Sequence, residues 1–125
     1  MTAQPAGGPH YSPFTIGGGL IFVSGQLPLR PGRDTSLAKA PFRDQVEQTL
    51  TNLQTVLQDA GAELSQVIKT TVYLSDIGDW DELDVVYGEF FGATRPSRSV
   101  VPTGPLHFGF RIEIEAIALA TKDAA

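Results

Sequence analysis

The sequence predicts an α+β domain: a mixed β-sheet with two helices packed on one of its faces. Three observations lead there. Two strand-like segments joined by a glycine run open the chain, two amphipathic helical segments are separated by one strand-like run, and a long alternating apolar segment closes it. At 125 residues the chain has room for one sizeable core and little for a second, so residues 1–125 are read as a single domain.

Residues 14–16 and 20–24 are apolar runs flanking Gly17-Gly18-Gly19, the pattern of a hairpin with a permissive turn. The chain stays extended through residues 25–29, where Pro28 marks an edge or a bend. Residues 30–41 carry Pro31, Gly32, Asp34 and Ser36, a surface connection. Residues 42–60 form the clearest helix. Val46, Leu50, Leu53 and Leu57 make one buried stripe, Gln45, Gln48, Asn52 and Gln58 take other faces, and Gly61 ends it. Residues 67–74 are a strand with Ile68, Thr70, Val72 and Leu74 on one face and Val67, Lys69, Thr71 and Tyr73 on the other. Asp79 is placed as an N-cap with Glu82 as its capping-box partner. The helix it opens carries Trp80, Leu83, Tyr87 and Phe90 on one side and stops at Gly92. Residues 99–101 and 111–119 are the last strands, 1–9 a loose lead and 122–125 a tail.

In the last strand, Ile112, Ile114, Ala116 and Ala118 form an apolar face suited to the helices. The opposite face begins with Glu113 and Glu115 and turns apolar at Ile117 and Leu119, unlike an ordinary solvated face. With both helices already used, a second subunit is the expected cover.

Composition narrows the function. Hydrophobic residues make up 42% and charged residues 18% of the chain, a globular balance. Nine basic against fourteen acidic residues give a net charge of −5, without the basic stripe that nucleic acid requires. There is no cysteine, which excludes thiolate catalysis and disulfides, and the two histidines, His10 and His107, are far apart, so no metal site is expected. No run has the length of a membrane span and the N-terminus lacks a signal pattern, so the expected setting is cytoplasmic, with no membrane partner.

Arg98 stands where a proline-punctuated loop becomes a strand. Its guanidinium suits a carboxylate gripped by two parallel hydrogen bonds, and a carboxylate on a neighbouring strand, Glu113, suits proton transfer. Spacing alone favours two solvated surface charges, since most exposed charges serve only solvation. Tyr11, near the first strand, reads as a half-buried ring with a wet hydroxyl, and Ser24-Gly25 as a close-approach point or a simple bulge. Ser36-Leu37-Ala38-Lys39 fits a Ser-x-x-Lys nucleophile pattern without its companion motifs, and Gly17-Gly18-Gly19 lacks the rest of a phosphate loop.

Tyr11-Ser12, Gly18-Gly19-Leu20-Ile21-Phe22-Val23-Ser24-Gly25-Gln26, Val67-Ile68-Lys69-Thr70-Thr71-Val72-Tyr73-Leu74, Pro96-Ser97-Arg98-Ser99 and Ile112-Glu113-Ile114-Glu115-Ala116-Ile117-Ala118 stand in collinear order. Together they resemble the reactive-intermediate deaminase family, the RidA or YjgF-like proteins, over nearly the whole chain. The resemblance implies a homotrimer of chorismate-mutase-like subunits with clefts at the interfaces. It implies hydrolysis of short-lived enamine and imine acids to 2-oxo acids and ammonia, with no metal or organic cofactor. Arg98 then matches the clamp on the substrate carboxylate, Glu113 the acid that handles water, Tyr11 the ring that closes the cleft, and Ser24 and Gly25 the strand end lining it. Val100 stands where the family usually has Cys, where a contact through the backbone carbonyl would survive. Residues 102–107 depart from the usual wall, and Asp84 stands where Asn is typical, beside an anionic substrate that it repels unless it points away or selects a cationic group. These departures leave a second reading, a member that binds a small carboxylate metabolite without turning it over.

Overall fold

The computed structural model describes residues 10–121; the expectations for residues 1–9 and 122–125 lie outside the described residues. The elements run β1 (Phe14–Gly17), β2 (Leu20–Gln26), α1 (Phe42–Asp59), β3 (Val67–Leu74), α2 (Trp80–Phe91), β4 (Ser97–Pro102) and β5 (Ile112–Leu119). Single 3-10 turns occupy Ser36–Lys39, Leu64–Gln66, Ile77–Asp79 and His107–Gly109. The strands form one five-stranded sheet in the order β1-β2-β5-β3-β4.

Local chemistry explains the topology. Gly18 and Gly19 both take positive φ, at 60° and 78°, the backbone that lets a two-residue turn close the β1–β2 hairpin. The α2 crossover carries the chain back before β4 begins, so β3 and β4 pair in parallel. The other pairs are antiparallel, which makes the sheet mixed as expected.

The core lies between the sheet and α1. Val46, Leu50, Leu53 and Leu57 are fully buried, as the helical spacing predicts, and join Ile21, Val72, Ile112, Ile114 and Ala118 in one cluster. The opposite face is partly open: Phe22 and Val101 are exposed, as is Glu115.

Four local expectations need correction. Gln45 is buried rather than on a polar face, because its amide bridges the Ala38 and Ala40 carbonyls and accepts the Arg111 backbone N–H at 2.9 Å. In β3 it is Val67, not Ile68, that shares the buried face with Thr70, Val72 and Leu74. The pairing with β5 slips between Val67 and Lys69, and the extra residue reverses the alternation there. In α2 the buried stripe is Leu83, Val86, Tyr87 and Phe91, with Trp80 exposed. Asp79 does occupy the N-cap position, yet its side chain caps nothing. Instead its carboxylate receives Arg111 through two guanidinium bonds, one of them from Nε at 3.0 Å, while that guanidinium lies over the Phe42 ring. A charge-assisted fork outcompetes a single backbone donor.

Candidate functional site

β4 places Arg98 opposite Thr70, and Thr70 pairs in turn with Ala116, so Arg98 projects from the helix-covered face. There its guanidinium lies 5.0 Å from the centroid of the Tyr87 ring and donates from Nη2 to Asp84 Oδ1 at 2.7 Å. Both partners come from α2, one turn apart. Tyr87 is fixed in turn by a 2.7 Å hydrogen bond shared with the buried Thr70 hydroxyl. Burial pushes the Tyr87 phenol up, with the Thr70 hydrogen bond and the Arg98 charge opposing, so the ring stays neutral under the cation. Beside Arg98 a groove of about 370 Å³ runs between the C-terminal half of α2 and the approach to β4, lined by Tyr87, Gly88, Phe91, Thr94 and Pro96 among others. Val100 lies on the same side, partly buried against the core.

Glu113 is elsewhere. It pairs with Tyr73 in the row that faces away from the helices. The two strands are not neighbours, as the spacing argument supposed: β3 runs between β4 and β5. Within one chain, Arg98 and Glu113 therefore stand on opposite faces of the sheet. Periodicity within each strand cannot reveal this, because it depends on which residues of three strands lie opposite one another.

The surroundings of Glu113 perturb its carboxyl. Burial holds its carboxyl above the ordinary 4.5, the charge of Glu115 two residues on pushes the same way, and His107 pulls it back. Glu115 itself accepts a hydrogen bond from the Tyr73 hydroxyl. His107 is held by stacking on Phe108, 3.6 Å between ring centroids, and Phe108 packs edge-on against the buried Phe110. Nothing in its spacing from Glu113 marks His107 as a neighbour in the sequence; a turn across Phe108, whose φ is +63°, brings it there.

Gly25 is where Glu113 makes its closest demand on another strand. Pairing of β2 with β5 slips between Val23 and Gln26, placing Ser24 and Gly25 against a single residue. A Cβ on Gly25 would stand 2.3 Å from Glu113 Oε2. The Ser24 hydroxyl is already committed: it donates to the Ser12 carbonyl at 2.7 Å, and the Ser24 N–H donates to the Pro13 carbonyl at 3.0 Å. Ser24 thus ties down the segment that carries Tyr11, whose ring is exposed. The structure brings Gly25 to Glu113, and Asp84 and Tyr87 to Arg98. It does not bring these two groups together in one chain.

A larger groove of about 470 Å³ lies between β1 and the end of α1, lined by Phe14, Thr15, Ile16, Asp59 and Ala60. Among the described residues that line it, none is a cation that could hold an organic acid. Among the described residues, no three His, Asp or Glu side chains converge as metal ligands, and no helix is long and apolar enough to cross a membrane.

The family model described as Endoribonuclease L-PSP matches residues 1–120. RutC family protein PH0854 of Pyrococcus horikoshii is 40% identical over 108 residues, covering 86% of this chain and 85% of that protein. The 2-iminobutanoate/2-iminopropanoate deaminase of Dermatophagoides farinae is 31% identical over 119 residues, covering 95% and 91%. The crystal structure of YEO7 from yeast matches with a TM-score of 0.84 at 35% identity, covering 92% of this chain and 90% of that one.

Proposed function

The chain belongs to the endoribonuclease L-PSP family, the YjgF/RidA proteins, and from that premise we propose that it hydrolyses small 2-imino acids to 2-oxo acids and ammonia in clefts completed between subunits of a homotrimer. The observation that carries this reading is Arg98: its guanidinium is oriented by Tyr87 and Asp84 and lies at a groove of a size suited to a small organic acid.

The chemistry asks for little else. An iminium carbon is already electrophilic, so a held carboxylate and one proton shuttle suffice. Arg98 holds the substrate carboxylate. Ionised Glu113, supplied by a second copy, takes a proton from water as its oxygen bonds to the imine carbon. The same proton then passes to the nitrogen; as the C–N bond breaks, Glu113 takes the remaining hydroxyl proton and hands it to the departing ammonia, leaving a 2-oxo acid. An enamine substrate first takes a proton at carbon to become the imine. Opposite-face placement of Arg98 and Glu113 supports a two-subunit cleft, since one copy cannot offer both to one ligand. The exposed Phe22 and Val101 and the half-buried Ile117 and Leu119, on the sheet face that carries Glu113, are the apolar surface such a contact would cover.

A coupled assay that generates 2-iminobutanoate or 2-aminoacrylate and follows 2-oxo acid release tests the proposal. Wild-type protein accelerates release, and Arg98→Ala lowers kcat/KM by an amount equivalent to about 2–5 kcal/mol. No acceleration by the wild type, or equal acceleration by Arg98→Ala, overturns it. Asp84, already bonded to the clamp, favours a second reading in which the groove binds a metabolite without turnover. Ligand-dependent stabilisation without hydrolysis would establish that reading.

A further inference from the structure

The Asp84–Arg98 contact is a single bond, between an arginine that lines the groove and an aspartate one turn of α2 beyond its lining. Arg98 uses one nitrogen, Nη2, and Asp84 uses one oxygen, Oδ1; Asp84 Oδ2 has no hydrogen-bond partner among the described residues. Asp84 lies one turn before Gly88, which lines the groove. As a structural tie the pair has little to do. Its side chains remain 23% and 47% exposed, a setting in which ion pairs contribute little, and β4 is already held along its length by β3.

We propose that Asp84 and Arg98 together recognise a zwitterion, Arg98 taking the ligand carboxylate and the free oxygen of Asp84 its cationic nitrogen. This rests on the reading of the Arg98 groove as the ligand site. A bare 2-oxo acid bound to Arg98 places its carboxylate beside that of Asp84, and like charges repel. An α-ammonio or α-iminio carboxylate carries its two opposite charges on groups attached to adjacent carbons, one for Arg98 and one for Asp84. The same carboxylate stabilises a protonated imine, the form whose carbon water attacks. Release follows as well, because hydrolysis removes the cationic nitrogen and leaves a product that Asp84 disfavours.

Isothermal titration of the full chain with L-2-aminobutanoate and with 2-oxobutanoate tests this, using the wild type, Asp84→Asn and Asp84→Glu. The wild type binds the amino acid about tenfold more tightly than the oxo acid. Asp84→Asn removes or reverses that preference, Asp84→Glu restores part of it, and the melting temperatures stay close together. In turnover, Asp84→Asn raises KM for the imino acid more than it lowers kcat. An unchanged ratio in Asp84→Asn, a parallel weakening of both ligands, or no wild-type preference overturns the proposal. Failure here is separable from failure of the hydrolase reading: preference without turnover sinks only the hydrolase, and turnover indifferent to Asp84→Asn sinks only the zwitterion pair.

Discussion

Replacing Gly25 with alanine displaces Glu113, the acid of the proposed reaction, without substituting it. The added Cβ stands 2.3 Å from Glu113 Oε2, 3.0 Å from its Cδ and 3.3 Å from its Cγ. Ordinary contact lies near 3.5 Å, so the carboxylate has to retreat by about 1 Å. Gly25 is not among the glycines with positive φ, so alanine is compatible with its backbone and the conflict is purely one of space. The obstructing atoms are the end of a flexible side chain, which yields at about 0.5–1.5 kcal/mol of rotamer strain. Exchanging glycine for alanine in an extended segment returns about 0.5–1 kcal/mol, so folding stability stays within about 1 kcal/mol of wild type. Activity does not: a displacement of about 1 Å in a catalytic constellation costs on the order of a hundredfold. The assay is kcat for 2-imino acid hydrolysis beside a thermal melt of the same preparation. In a Glu113→Gln background the alanine has nothing left to misplace and costs little more. Wild-type kcat in Gly25→Ala, or a collapse of stability, refutes the reasoning.

Two further substitutions probe the charged groups. The Glu113 carboxyl is raised above 4.5 by burial and then by Glu115, so the folded state binds its proton more tightly than the unfolded one. The stabilisation this gives is fully present below that value and lost as pH rises through the folded one. Glu113→Gln therefore raises the melting temperature at pH 7 more than at pH 4, and it removes the acidic limb of kcat/KM, which lies above 4.5 in the wild type. Asp79→Asn breaks the two-pronged contact with Arg111, where Asp79 is buried and Arg111 partly open. It lowers unfolding free energy in urea by about 2 kcal/mol, the buried-pair figure reduced for the exposed arginine.

The fold was legible wherever one periodic signal decided an element. Val46, Leu50, Leu53 and Leu57 repeat on a helix and nothing competes with them, and Gly18-Gly19 leaves the first hairpin little choice of turn. Legibility failed where an element answers to a partner distant in sequence. Gln45 looks solvent-facing until the Ala38, Ala40 and Arg111 backbones arrive to use its amide. Asn52 is similar, donating to the Leu27 and Leu29 carbonyls and pinning the stretch after Gly25 to α1. Asp79 has the position of a cap and is claimed by an arginine 32 residues later. The bulges at Ile68 and at Ser24-Gly25 each break the alternation by one residue, and no count along a single strand foresees them. At the candidate site, family register named Arg98, Glu113, Tyr11 and Gly25, but not the face that each residue occupies.

That division between faces has an electrostatic consequence. Had Arg98 and Glu113 projected from one face on adjoining strands, they would meet in the isolated chain. The guanidinium would then hold Glu113 ionised at a depressed value, and both would be spent on each other. The sheet acts as a partition between them. Arg98 meets a half-committed aspartate and the Tyr87 ring, Glu113 meets a second carboxylate that pushes its proton affinity up, and within one chain neither neutralises the other. A polypeptide that carries both an acid and its natural counter-ion keeps them unreacted by folding them back to back.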